Sequence, residues 1–421
     1  MSEYKKKSVK RKPIKQDRKD YPMKSSSVKE GASSQKNNIF KLHTGKKRER
    51  RLSVFISTAV IIVIAAVYFI ILAFHPIGVS EYFSSKFKIA GKGDGYPVEL
   101  KGDDVLMVNR QDKYYYTITE SSVYCNNMSG KLVSSITHGF ARPVLRSAET
   151  RYIIFGQGEQ TVKVFNFERE LHNLHYDSQI LSVAITDNGY FAVATTVDGY
   201  DSKINVYDKN GKVIFEWYSS NGIVGSLNFS SNGKKLLVTT FSTKDGEFES
   251  KALLLDFKSA NPEKTFVFEK NICYKVGFLT KETIFVVFEN SIQFIKTKDG
   301  SIVTNEFDYS VKLAEATDNY ILISGNLDSN TDSNRITLYN KKTECIADFT
   351  VSYNVKEAIY KNKHIYLLSN NLVNCYNLEG VLLYSAPVTF DVRHIVPVSE
   401  KSLVAVSNKF ISQITLAQSE Q

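Results

Sequence analysis

Residues 181–189 read LSVAITDNG, and residues 225–233 read GSLNFSSNG. In both stretches apolar and polar residues alternate, and the run ends in Asn-Gly, a pair that tolerates the positive φ angles of a tight hairpin turn. Each stretch is followed by a run typical of a β-strand, YFAVATT at 190–196 and KLLVTT at 235–240. The two stretches therefore predict two copies of one β-hairpin.

A third strand follows the hairpin and carries its own signature, in which an apolar or aromatic residue precedes Asn or Asp. The small polar side chain can accept hydrogen bonds from its own backbone and so begin the turn into a fourth strand. The signature occurs at Asn166, Asp208, Asp256, Asn340 and Asn377.

Units of this kind recur about every 40 residues, which is typical of the four-stranded blades of a β-propeller. We predict an all-β domain over residues 96–416, a propeller for which eight blades are favoured. Seven is the alternative count, because the first unit and an insertion at 242–249 are difficult to place, and a β-helix or stacked sandwiches would also give many short strands. The first strands of the units are expected near Val105, Val144, Leu181, Val224, Tyr274, Val311, Val355 and Arg393.

The last unit has only three strands before the chain ends. Residues 96–100, at the start of the domain, can supply its outer strand. The ring would then close without leaving two unpaired sheet edges.

An apolar run, LSVFISTAVIIVIAAVYFIILAF, occupies residues 52–74 and has no charge from Ser53 onward. A helix of this length spans a hydrocarbon core of about 30 Å. The hydroxyls of Ser53, Ser57 and Thr58 can bond back to the preceding helical turn. We interpret the run as a transmembrane signal-anchor helix; a buried core helix and a cleaved signal peptide are the alternatives, but no small-residue cleavage site follows it.

The charges that flank this run predict its orientation, since basic loops stay on the cytoplasmic side. Only Glu49 offsets the basic residues before the run, and the first charges after it are sparse and mixed. We therefore expect a single-pass protein of the cell membrane, with a cytoplasmic amino terminus and an extracytoplasmic carboxy-terminal domain. The basic residues at the membrane are Lys46, Lys47, Arg48, Arg50 and Arg51.

The positive charge of the chain is concentrated in its first residues. Residues 1–52 contain 18 Lys or Arg and five Asp or Glu, a net charge of +13 within a total of +10, so the remainder carries −3. A basic tail at 1–51 with few large apolar residues is expected to be disordered. It either binds anionic lipid headgroups or only fixes topology. Nucleic-acid binding is not expected, because the folded part is nearly neutral and the tail has few aromatic residues.

Residues 75–95 are predicted to be a flexible linker, since Pro76 stops the helix and four glycines follow. Within it, Val79–Ile89 can form a short amphipathic segment that lies on the membrane, with Tyr82, Phe83 and Phe87 on its apolar side. Residues 417–421 are interpreted as a carboxy-terminal tail.

Motifs for catalysis, metals or cofactors are not found. His172 and His175, the group Asp198, Asp201 and Asp208, and the alternating run Asn326, Asp328, Asn330 and Asp332 are interpreted as polar loops rather than metal ligands. Tyr114 to Tyr116 and Tyr82-Phe83 could form a stacking platform for sugar rings, but a structural role is favoured, because strand alternation buries about half of any such run. Cys125, Cys273, Cys345 and Cys375 are expected to be reduced and buried, with a Cys345–Cys375 disulfide as an alternative.

These strand and turn patterns resemble those of bacterial β-propellers of the quinoprotein-like and WD40-like kind. Over residues 40 to 416 the chain more narrowly resembles a family of single-pass membrane proteins of unknown function with a basic tail and an extracytoplasmic propeller. The resemblance implies no cofactor: an adjacent cysteine pair is missing, and Trp217 is the only tryptophan. The Gly-His and Trp-Asp pairs of WD40 repeats are missing too.

Three functions are compatible with this organisation. We favour a non-catalytic binding or scaffolding module for a protein or a cell-envelope component. The alternatives are a hydrolase or lyase of an envelope polymer, with carboxylates at the mouth of the channel, and a sensor that signals through the basic tail.

Overall fold

A computed structural model describes residues 39–73, 77–101, 104–317, 319–327, 332–389 and 391–419. The chain divides into two compact units, residues 1–69 and 70–421. Helix α1, Ile39–Ala73, begins in the first unit and ends within the first residues of the second.

Helix α1 contains the apolar run that the sequence indicated. Its window Ser53–Ile70 has a mean hydropathy of 2.6 and no buried residue, and it is the single described helix long and apolar enough to cross a membrane. The hydroxyls of Ser57 and Thr58 donate to the carbonyl of Val54 at 2.9 and 2.8 Å. The predicted bonds back to the preceding turn are therefore confirmed for these two residues.

The start of α1 differs from the sequence prediction. The helix begins at Ile39, so residues 39–51 are helical rather than disordered. Lys, Arg and Glu, which dominate the end of this segment, have good helix propensity, and an adjoining apolar helix removes the cost of nucleation. Residues 1–38 of the predicted tail lie outside the described residues.

The second unit is an eight-bladed β-propeller, as the repeats predicted. Each blade is an antiparallel sheet, and the first strand of each blade contacts the first strands of its neighbours around a closed ring. From the channel outward, blade 1 contains β2 Val105–Arg110, β3 Tyr114–Thr119, β4 Ser122–Asn127 and β5 Leu132–Thr137, and blade 2 contains β6 Pro143–Ser147, β7 Arg151–Gly156, β8 Thr161–Asn166 and β9 Glu170–His175. Blade 3 contains β10 Ile180–Ile185, β11 Phe191–Val197, β12 Tyr200–Tyr207 and β13 Val213–Ser219. Blade 4 contains β14 Ile223–Phe229, β15 Leu236–Lys244, β16 Glu247–Leu255 and β17 Lys264–Glu269.

Blades 5 to 8 repeat the arrangement. Blade 5 contains β18 Lys275–Thr280, β19 Thr283–Val287, β20 Ser291–Lys296 and β21 Ile302–Glu306, and blade 6 contains β22 Ser310–Ala316, β23 Tyr320–Asn326, β24 Asn334–Asn340 and β25 Cys345–Val351. Blade 7 contains β26 Glu357–Lys361, β27 His364–Leu368, β28 Leu372–Tyr376 and β29 Leu382–Pro387. Blade 8 contains β30 Val392–Ser399, β31 Ser402–Ser407 and β32 Phe410–Thr415.

The ring closes in blade 8 by the strand that the sequence predicted. Strand β1, Val98–Glu99, pairs antiparallel with β32, with Val98 opposite Ile411. The amide of Leu100 extends this pairing by donating to the carbonyl of Lys409 at 2.8 Å. A second closure was not predicted: β33, Ala417–Gln418, lies in the segment interpreted as a tail and pairs with the outer strand of blade 7.

The turn chemistry follows the sequence signatures. Gly189 and Gly233 have φ angles of 78° and 67°, the left-handed conformation that the Asn-Gly turns require. Asn166 accepts hydrogen bonds from two backbone amides of its own turn, at 2.8 and 2.9 Å, and Asp208 and Asn340 do the same in blades 3 and 6. The insertion in blade 4 is a longer hairpin, in which the ladder between β15 and β16 continues to Lys244 and Glu247.

The core lies between neighbouring blades. Strand β3 shows why, since Tyr114, Tyr115 and Tyr116 are all buried. Tyr114 and Tyr116 pack with residues of blade 2, whereas Tyr115 packs with residues of blade 8. Successive side chains of a strand point to opposite faces, so a strand buried on both sides is apolar throughout. The structural role predicted for these tyrosines is confirmed, but the expectation that about half of the run is buried is exceeded, because β3 has a neighbouring blade on each face.

The segment predicted to be a flexible linker contains a helix, α2, Val79–Ile89, which packs on the propeller. Arg151, at the start of β7, makes two 2.7 Å hydrogen bonds to the carboxylate of Glu81. Lys131 donates to the carbonyls of Lys88 and Ala90 at 2.8 and 2.7 Å and so caps the carboxy-terminal end of α2. This segment is a part of the propeller surface, because its polar residues have partners there that lie far away in the sequence.

Candidate functional site

A central channel runs through the propeller and is lined by the innermost strands of its blades. Its deeper part is a cavity of about 750 Å³ bordered by strands β2, β6, β10, β14, β18 and β22. A second cavity of about 600 Å³ shares Gln111, Arg146 and Asn228 with the first and opens between the loops that follow the innermost strands. Both cavities are concave and are lined by residues from several blades, which makes the channel the first candidate for a binding site.

The two faces of the propeller differ in what they carry. Helix α2 contacts loops that join first to second strands and third to fourth strands, such as the loop that contains Glu149, so it lies on the face where these loops cluster. We call this the α2 face. The opposite face carries the turns between second and third strands and the connections between blades.

Polar side chains line the channel and bond to one another across blades. Ser147 lies 2.5 Å from the amide oxygen of Asn109, and Gln111 donates to the hydroxyl of Ser147 at 2.7 Å. Asn228, on β14, donates to the carbonyl of Val276 in the next blade at 3.0 Å. Side-chain hydrogen bonds thus join the innermost strands of neighbouring blades.

Two cations face the deeper cavity. Arg146 projects from β6 and bonds only to the carbonyl of its neighbour Leu145, at 3.2 Å, among the contacts the described residues provide. Lys275 starts β18, donates to the carbonyl of Ala314 and lies 4.0 Å from the carboxylate of Glu315. Desolvation by the channel walls lowers the pKa of both side chains, and the nearby Arg146 lowers that of Lys275 further. Arg146 is nevertheless reached by solvent, since it lies along an open channel.

A second arginine in the wall, Arg110, is fully compensated. The guanidinium of Arg110 bonds to the carboxylate of Glu357 and, at 2.7 Å, to the carbonyl of Ile395. His394 lies 3.0 Å from the same carboxylate, and the amide of Ile395 donates to it at 2.8 Å. Burial raises the pKa of Glu357, but Arg110 and His394 lower it more, so its pKa lies below the ordinary value. This cluster joins blades 1, 7 and 8 and has little capacity left for a ligand.

The face opposite α2 exposes large apolar side chains on three successive blades. Tyr200, Ile223, Phe248, Ile272 and Tyr274 are each more than half exposed. We call these five residues the apolar patch. Tyr274 also borders the channel, and its hydroxyl donates to the carbonyl of Lys312 in the next blade at 2.7 Å.

One glycine shapes the channel beside this patch. A Cβ atom at Gly225, on β14, would lie 2.1 Å from the ring of Phe241. The missing side chain therefore allows Phe241 to reach the channel from the second strand of the blade. The channel consequently has aromatic walls near one mouth and polar walls toward the other.

Most residues that the sequence singled out lie elsewhere. His172 and His175 are on strand β9 rather than in a loop; His172 stacks on Phe191, and His175 lies 3.2 Å from the hydroxyl of Thr161. The described residues contain no group of three His, Cys, Asp or Glu side chains arranged to hold a metal. In the alternating run of Asn and Asp residues, Asp328 and Asn330 lie outside the described residues, whereas Asn326 ends strand β23 and Asp332 is exposed.

The cysteines are free thiols in the structure, and no Cys345–Cys375 bridge is formed. The expectation that all four are buried is wrong for Cys345, which is exposed on strand β25 at the outer edge of blade 6, where alternate side chains face solvent. Lys46, Lys47, Arg48, Arg50 and Arg51 lie in helix α1, outside the propeller, and their side chains are not described.

Comparison with solved structures shows the fold alone, because identities are low. The carboxy-terminal WD40 domain of Sif2 is 11% identical, with a TM-score of 0.55, over 78% of this chain and all of that one. BamB from Moraxella catarrhalis is 12% identical, with a TM-score of 0.49, over 76% of this chain and 98% of that one. Hydrazine synthase of Kuenenia stuttgartiensis is 14% identical, with a TM-score of 0.48, over 69% of this chain and all of that one.

A comparison with curated proteins finds no match. A family model, in contrast, matches residues 101–416, which contain all but one of the strands of the eight blades and the whole channel. The chain belongs to the family of unknown function DUF5711.

Proposed function

We propose that this protein is a membrane-anchored binding module. Helix α1 serves as a single membrane span, with the residues before it in the cytoplasm and the propeller outside, and the propeller binds a protein or a cell-envelope component without catalysis. The observation that carries the proposal is the combination, on one rigid ring, of an open polar channel with unneutralised positive charge and an apolar patch beside its mouth.

The apolar patch supports binding, since exposed aromatic and large aliphatic side chains that cluster on one face of a soluble domain are typical of interaction sites. The hydrophobic window and the basic residues Lys46 to Arg51 support the anchor and its orientation. In the cell envelope such an anchor would keep the binding face near its target.

A hydrolase or lyase would need carboxylates that are available at the channel. Of the described acidic side chains there, Glu357 is held by Arg110 and His394, Glu315 lies near Lys275, and Asp187 accepts a hydrogen bond from the amide of Glu149 at 2.8 Å. Each of these carboxylates has a partner in the wall, whereas a glycosidase needs a pair of carboxyl groups free to act on the substrate. This supports the non-catalytic alternative.

Crosslinking in intact cells tests the proposal. A membrane-impermeant lysine crosslinker is applied to cells that make the full-length protein, and captured material is compared with that of a variant carrying Phe248→Ala and Tyr274→Ala. We expect a defined partner with the natural chain and a several-fold lower yield with the variant. Leu132→Ala, at an equally exposed position on the outer strand β5, should not change the yield.

Two outcomes would contradict the proposal. Failure of the impermeant reagent to modify the propeller lysines would place the propeller on the cytoplasmic side. Equal capture by the patch variant and the natural chain would remove the patch from the binding site.

A further inference from the structure

The deeper cavity of the channel has an imbalance of charge. Four charged side chains line it, Arg110, Arg146, Lys275 and Glu315. Glu357 neutralises Arg110 from within the wall. Glu315 is the remaining anion, and it lies 4.0 Å from Lys275. One positive charge therefore remains, and it belongs to Arg146, for which no carboxylate of the described residues lies within ion-pair distance.

Holding this charge costs free energy. Desolvation lowers the pKa of both Arg146 and Lys275; the charge of Glu315 raises the pKa of Lys275 in part, and the charge of Arg146 lowers it further. A charge retained under such conditions indicates a partner that is negatively charged, because an anion between the two side chains would relieve both penalties. A guanidinium is also well suited to bind carboxylate and phosphate through two parallel hydrogen bonds.

The remaining lining matches hydroxyl groups and the flat face of a ring. Gln111, Ser147 and Asn228 supply amide and hydroxyl groups to the cavity, and Ser226 and Thr239 add a pair of hydroxyls 2.7 Å apart. Tyr274 and Phe241 supply aromatic faces near the mouth opposite α2. Polar groups that alternate with an exposed aromatic ring are the elements that bind sugars.

We infer that the channel binds a sugar that carries a carboxylate or a phosphate, with the anionic group between Arg146 and Lys275 and the sugar ring toward Tyr274. This inference rests on the proposed binding function and names its ligand class. The cavity, about 750 Å³, is within the range of ordinary small-ligand sites.

Calorimetric titration of the full-length protein in detergent micelles tests the inference. The probes are glucuronate, glucose 6-phosphate, inorganic phosphate and neutral glucose. We expect one of the two sugar anions to bind, and the difference between them shows whether the site takes a carboxylate or a phosphate. If the site binds a phosphate, inorganic phosphate alone should bind more weakly than glucose 6-phosphate, since it lacks the sugar ring.

Variants locate the site. Arg146→Gln should weaken binding at least about tenfold, the value of a charge-assisted hydrogen bond, and Lys275→Gln should weaken it too. Arg146→Lys keeps the charge and should recover part of the loss. Arg142→Gln is the matched control, because Arg142 is an exposed arginine four residues upstream that does not line the cavity.

The inference is overturned if neither sugar anion binds, if glucose binds as well as its charged derivatives, or if Arg146→Gln binds like the natural chain while its circular dichroism spectrum is unchanged. The result of these titrations depends neither on the orientation of the anchor in a membrane nor on a cellular partner. If no sugar anion binds in the titrations, a partner captured by crosslinking still supports the proposed binding function. If crosslinking captures no partner, binding of a sugar anion in the titrations still supports the anion site.

Discussion

At the scale of single residues, the channel wall treats two arginines in opposite ways. Arg110 is matched by Glu357, a carboxylate that also bonds to His394 and to a backbone amide. Arg146, in the next blade, has a carbonyl as its single hydrogen-bond partner in the part of the chain that the structure describes. The first arrangement joins blades and serves stability, whereas the second leaves a charge available to a ligand.

The Glu357 cluster predicts a dependence of stability on pH. Because the folded state lowers the pKa of Glu357, its stabilisation is complete above the pKa of an unfolded glutamate, about 4.3, and is lost as the pH falls through the lower pKa of the folded state. Glu357→Gln should lower the free energy of unfolding at pH 7 by about 1–3 kcal/mol and should make it less sensitive to acid. Urea unfolding between pH 3 and 7 measures both effects.

Glu282→Gln provides the control for this measurement, since Glu282 is exposed in a hairpin turn. It should keep the acid sensitivity of the natural chain. A Glu357→Gln protein with the same pH profile as the natural chain would contradict the role given to the cluster.

The residues of the turns could be predicted from the sequence, but those of the channel could not. Asn166 and Gly189 act within a few residues of themselves, so local chemistry identifies them. Arg146 differs, because the alternation of side chains along β6 predicts that Leu145 and Arg146 point to opposite faces of the strand. The alternation does not predict which of the two faces the channel. The single hint was a charged residue directly after three apolar residues of a short strand.

At the scale of elements, α2 shows the same limit to what can be predicted from the sequence. Its amphipathic pattern was visible, but the partner of its polar side is Arg151, seventy positions beyond Glu81. A pattern that indicates a helix with one apolar face cannot tell a membrane surface from the surface of a propeller. In the structure, Ile89 is buried in the core shared by blades 1 and 2.

Removal of α2 should therefore destabilise the propeller. A fragment of residues 91–421 loses the buried side chain of Ile89 and leaves Arg151 without its carboxylate, and we expect a loss of at least about 3 kcal/mol in the free energy of unfolding. A fragment of residues 77–421 keeps α2 and is the control. Thermal and urea unfolding compare the two, and equal stability would show that α2 only rests on the surface.

At the scale of the whole molecule, the ring is closed by strands from both ends of the domain. The repeat pattern predicted eight blades and the use of residues 96–100 to complete the last, because each blade needs four strands and only three remained. Strand β33 was not predicted, since two residues carry no periodic signal. Its pairing with blade 7 can only be seen once the ring is built.

These two closures should contribute unequally to stability. Deletion of residues 417–421 removes β33, a strand of two residues that are both exposed, so the midpoint of thermal unfolding should change little. Deletion of residues 410–421 also removes β32, the partner of β1, together with the buried side chains of Ile411 and Leu416. The ring then opens between blades 8 and 1, two sheet edges become unpaired, and we expect loss of cooperative unfolding and rapid proteolysis of the propeller. Similar protease resistance of the two shortened chains would mean that the contacts between innermost strands hold the ring together without the β1–β32 pair.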